Sequence, residues 1–70
     1  MNHLDQAIDA YKQTVELFPD YPQAHLNLAT VYGLKKMYKE ALAEYQILAE
    51  IDPAFRAELE QRMKSMKNDL

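Results

Sequence analysis

Apolar residues recur along this chain at steps of three and four, and each run ends at a proline or a turn signal. That spacing follows the 3.6-residue period of a helix with one face turned inward. Leu4, Ala7, Ile8, Tyr11, Val15 and Phe18 form the first stripe and predict a helix from about His3 to Phe18, with Asn2 and Asp5 placed to cap its start. Pro22 opens a second helix running to about Lys35, because a proline in the first turn gives up an N–H that has no partner there anyway. Ala24, Leu28, Val31 and Tyr32 lie on one side of it. A third helix is predicted from Tyr38 to Ile51, with Ala41, Leu42, Tyr45, Leu48 and Ala49 inward, and Asp52-Pro53 ends it. A fourth, from about Ala54 to Lys67, carries Phe55, Leu59, Met63 and Met66 on a single stripe, and Arg56, Glu58, Glu60, Arg62, Lys64 and Lys67 around the rest.

The lone glycine, Gly33, falls inside the second stripe. Since the apolar period continues through Leu34, it reads as a mid-helix glycine rather than the helix end. The chain as a whole is expected to be all-α, with four antiparallel helices in two layers.

Composition sharpens this without changing it. The 70 residues are 49% hydrophobic and 27% charged, a balance that suits a folded helical chain rather than a disordered one. There is no cysteine, so neither a disulfide nor a thiolate metal site can brace so short a chain, and a reducing, cytoplasmic setting is expected. A net charge of -3 speaks against a nucleic-acid surface, and Lys35, Lys36 and Lys39 form only a short basic corner. The uncharged stretch from Leu28 to Leu34 is far shorter than the roughly 20 residues of a membrane span, so no membrane insertion is expected. Nor does the start of the chain carry the basic and apolar run of a secretory signal.

Offsetting the sequence by 34 residues exposes an internal repeat. Ala7 falls on Ala41, Tyr11 on Tyr45, Glu16 on Glu50 and Pro19 on Pro53; Ile8 meets Leu42, Leu17 meets Ile51 and Tyr21 meets Phe55. On these residues the chain resembles the tetratricopeptide repeat family, a 34-residue helix-turn-helix unit. Residues 22–55 look like one complete repeat, in which His25, Leu28, Ala29 and Tyr32 stand on the family's Trp-x-x-Leu-Gly-x-x-Tyr run, and Ala41, Tyr45 and Pro53 on its later Ala, Phe and Pro. Residues 1–21 resemble the second helix of a preceding repeat, and residues 56–70 a capping helix. Two positions depart from the pattern: His25 replaces a tryptophan, and Lys36-Met37 replaces a Gly-Asp turn. In this register Ala29 and Ala41 are small so that two helix axes can cross closely, Tyr11, Tyr32 and Tyr45 fill the wedges between helix pairs, and Pro19 and Pro53 set the direction of the following helices.

Catalytic chemistry has thin support. His3 and His25 are the only side chains whose ordinary titration lies near neutrality, and His25 occupies a packing position, so it reads as a partly buried structural histidine rather than a ligand or base. His3 with Asp5 or Asp9 is a pairing that arises by chance in helical chains, and no glycine-rich phosphate loop is present. No enzyme, cofactor or metal is expected.

The resemblance implies a protein-protein interaction module instead, with a groove lined by the first helix of each pair. Mapped here, its positions are Gln23, Leu26, Asn27, Thr30 and Leu34, continued on the last helix by Glu60, Gln61 and Lys64. Asn27 is placed to donate to and accept from the backbone of an extended peptide, or else is simply a polar residue on an exposed face. Ala57 and Gln61 stand where relatives that bind a terminal carboxylate carry cations, which speaks against that mode. The competing expectation is a homodimer or a piece of a longer array, because the first helix has no companion to cover the side holding Ala7 and Tyr11.

Overall fold

A computed structural model describes residues 3–68. Four α-helices follow one another: α1 (His3–Leu17), α2 (Pro22–Leu34), α3 (Tyr38–Ile51) and α4 (Arg56–Asn68). A 3-10 turn, Pro53–Phe55, joins the last two, and the described residues contain no strand. The expected cap at Asn2 lies outside the described residues.

The order of packing is sequential. α1 lies against α2, α2 against α3, and α3 against α4, as short links require of neighbouring helices. The α2–α3 pair makes the most extensive contact, and the reason is visible in α2: it buries Ala24, His25, Leu28, Ala29, Val31 and Tyr32, a face wide enough for a neighbour on each side. Ala29 on α2 and Ala41 on α3 are both fully buried. Leu48 and Leu59 are the largest side chains shut off from solvent, and Leu59 is the only residue α4 buries.

Three helix ends differ from the sequence expectation. α1 stops at Leu17, so Phe18, expected on the inward stripe, is 59% exposed although its amide still donates to the Thr14 carbonyl. α2 stops at Leu34 rather than Lys35. The fourth helix does not begin at Ala54: the Asp52 side chain accepts from the Ala54 amide, the Phe55 amide donates to the Asp52 carbonyl, and this tight turn holds residues 53–55 before α4 starts at Arg56. Phe55 is consequently exposed rather than packed on the α4 stripe.

The α2–α3 turn has a definite geometry. The Met37 amide donates to the Tyr32 carbonyl and the Lys36 amide to Gly33, the paired bonds of a Schellman motif. Its left-handed residue is Lys36, at φ 63°, a conformation that costs a side-chain-bearing residue about 1 kcal/mol and that glycine adopts freely. Gly33 stays inside α2 with no left-handed backbone. A Cβ built there would meet the Met66 Cε of α4 at 3.3 Å, so α4 reaches across to α2 at this point.

Candidate peptide-binding surface

Along α2 lie Gln23, Leu26, Asn27, Thr30 and Leu34, of which Leu26 also packs against the core. Their spacing of three and four keeps them on one strip. Gln23, Thr30 and Leu34 are exposed; Leu26 and Asn27 are half-buried. Two side-chain bonds order the strip. Gln23 Nε2 donates to Asn27 Oδ1 at 3.0 Å, and the Thr30 hydroxyl donates to the Leu26 carbonyl at 2.8 Å. The bond from Gln23 takes one lone pair of Asn27 Oδ1, so the Asn27 amide keeps its NH2 donors and a second lone pair, and the Thr30 oxygen keeps lone pairs to accept. Leu34 adds an apolar end to the strip. Glu60, Gln61 and Lys64 are all exposed on α4.

Behind this strip His25, the one buried polar side chain among the described residues, joins three parts of the molecule. Its Nε2 lies 2.7 Å from the Pro19 carbonyl in the α1–α2 link and its Nδ1 2.8 Å from Glu44 Oε1 on α3. A carbonyl only accepts, so Nε2 carries a proton and donates to it, while Nδ1 faces the Glu44 carboxyl group. Both nitrogens are satisfied within the fold, which makes His25 a cross-brace and leaves no ring nitrogen free for a base or ligand role. Hydrogen bonding thus does at this position what bulk would do for a tryptophan.

The Tyr32 hydroxyl, on the same helix, has its pKa pushed above the usual phenol value by burial, with the carboxylates of Glu44 and Glu40 adding to the effect. Lys35 at the end of α2 pairs with Asp5 at the start of α1. On α4, Arg62 pairs with Glu58 one turn away at 3.0 Å, which ties up charge along the helix. Among the described residues no group of three or more His, Asp or Glu side chains is placed to hold a metal ion, and no helix is long and apolar enough to cross a membrane. At 13 Å in its thinnest dimension the molecule is a slab, with open faces rather than a deep cavity.

Such a slab of short helices, repeating at 34 residues and closing its hairpin with a Schellman turn, has a counterpart among known families. The family model described as TPR repeat matches residues 1–36, which is just over half of the chain and spans α1, its link and α2. The chain belongs to the tetratricopeptide repeat family. No match was found among curated proteins. Tetratricopeptide repeats generally serve as protein-protein interaction modules and are typically not catalytic.

One surface escaped the sequence reading. Leu17, Phe18, Pro19, Asp20 and Tyr21, the link between α1 and α2, line an open pocket of about 600 Å³. The available signal was the internal repeat itself, which sets Phe18 on Asp52: an aromatic residue stands where the matching corner uses a turn-forming aspartate.

Proposed function

We propose that this tetratricopeptide repeat chain is a binding module that holds an extended segment of a partner protein along the outer strip of α2. The observation that carries the reading is the strip itself. Gln23, Asn27 and Thr30 are preset by their own hydrogen bonds, Gln23, Thr30 and Leu34 are exposed, and Leu34 supplies apolar contact beside half-buried Leu26. An ordered row of amide and hydroxyl groups loses little side-chain freedom on binding, which favours a peptide backbone as ligand. Glu60, Gln61 and Lys64 would extend the contact onto α4. Within this reading residues 22–55 act as one complete repeat, residues 1–21 as the second helix of a preceding unit and residues 56–70 as its cap. A partner of this kind suits a reducing cytoplasmic setting and an acidic chain without a nucleic-acid surface.

The test is selection of peptides on the chain from a random display library, followed by amide-shift mapping of a selected peptide. Shifts centred on residues 23–34 and a loss of affinity of about tenfold in Asn27→Ala are expected, as for a hydrogen bond made in a partly buried site. Shifts confined to α1 would sink the proposal.

A second reading rests on its own observation: Ala7, Tyr11 and Val15 are only half-buried, whereas the matching Ala41, Tyr45 and Ala49 are buried. A second copy docking on α1 would close that face. Light scattering across a concentration series decides it, since a dimer would show a mass doubling and a Tm that climbs with concentration.

A further inference from the structure

The two corners that precede α2 and α4 are the same position in the repeat and are built to different ends. At the second, Asp52 accepts from the Ala54 amide and fixes the turn. At the first, the matching residue is Phe18, and the N-cap of α2, Tyr21, makes no side-chain bond. Asp, Asn and Ser favour such turns because their side chains accept from the amide two residues on, so the phenyl ring of Phe18 leaves out a bond that the other corner makes. The ring of Phe18 instead joins Leu17 and Tyr21 in one exposed apolar cluster, open to a partner.

The surroundings define what that site would take. Phe18 and Tyr21 are 59% and 52% exposed, Leu17 is 73% exposed, and with Pro19 and Asp20 they line the same open pocket. Asp20 is exposed, and among the described residues its carboxylate has no ion-pair or hydrogen-bond partner. The only charges between residues 16 and 22 are Glu16 and Asp20, both negative. Two aromatic rings attract a cation to their faces, the carboxylate supplies the counter-charge, and Leu17 and Pro19 offer surface to a methylene stem. A guanidinium fits this set better than an ammonium, because it is flat, weakly hydrated and stacks on rings.

We infer that the α1–α2 corner is a second binding site, one that receives an arginine side chain of a partner protein between Phe18, Tyr21 and Asp20. It lies on a different part of the molecule from the α2 strip and does not depend on it.

The probe is N-acetyl-arginine methylamide, titrated into the intact chain while the amide and ring signals of residues 17–21 are followed by NMR; the control is the citrulline analogue, which keeps the shape and loses the charge. Saturable shifts at Phe18, Asp20 and Tyr21 are expected, with binding in the millimolar range that suits one side chain, and about fivefold weaker for citrulline. Phe18→Ser and Asp20→Asn should each weaken the arginine probe by about threefold or more, while Phe18→Ser keeps or raises Tm because serine can restore the turn bond. Asn27→Ala should leave the probe's affinity unchanged, which separates this site from the α2 strip. Equal shifts from citrulline, shifts that survive Phe18→Ser, or a Phe18-dependent mass doubling without any probe would each overturn the assignment, the last by making a second copy the occupant.

Discussion

α1 and α3 carry the same pattern 34 residues apart, yet they hold very different places in the molecule. Ala41, Tyr45, Leu48 and Ala49 of α3 are buried, because α2 covers one side of that helix and α4 the other. Their counterparts in α1, Ala7, Tyr11, Thr14 and Val15, are half-buried, because α1 has α2 alone, and Ile8 is its one buried residue. Equivalent residues therefore do not make equivalent contributions: the number of neighbouring helices decides what each one is worth. α1 therefore leaves half-covered the positions that α3 buries, and it carries the aromatic corner at its end.

The largest effect is expected from enlarging a small, fully buried residue. Ala41→Leu should destabilise the chain by about 1–3 kcal/mol through overpacking, whereas Ala7→Leu should change stability by no more than about 0.5 kcal/mol. Denaturant melts of the two variants measure this, and similar losses in both would break the distinction between the helices.

Smaller, and of opposite sign, is the effect of relieving Lys36. Lys36→Gly should stabilise the α2–α3 hairpin by about 0.5–1 kcal/mol, since glycine takes the left-handed turn without strain. Hydrogen exchange sharpens the comparison. Amides of α2 and α3 should gain protection while the N-terminal turn of α1, which opens locally, gains none.

The smallest effect appears only at alkaline pH. Tyr32 has a folded-state pKa above the ordinary value of 10.0, so the unfolded chain gives up this proton first. The stability tied to the neutral phenol is complete below about pH 10 and is lost as pH rises from there through the folded-state value. Tyr32→Phe should therefore flatten the fall of Tm between about pH 9 and 11, and an unchanged slope would show that burial and the nearby Glu44 and Glu40 do not hold this phenol neutral.

Much of this was readable along the chain. Pro22, Asp52-Pro53 and the three-four spacing located four helices, and the 34-residue offset supplied the family, because these are local properties of the backbone and of periodic burial. The strip Gln23–Leu34 was legible for the same reason, as residues on one side of one helix. His25 was placed as a packing residue, but its partners Pro19 and Glu44 come from two other segments, and no spacing rule connects them. Phe18 was misplaced by its own hydrophobicity: the stripe of α1 includes it, and only the end of the helix at Leu17 turns it outward.

The sequence by itself determined the elements, their order and the repeat, since helix period, proline position and residue size act over a few residues. The tertiary structure alone decided which equal residues become unequal. Ala7 and Ala41, Phe18 and Asp52, Asn27 with its oxygen already bound to Gln23 are distinguished by what stands next to them, and neighbours are set by packing across the whole chain.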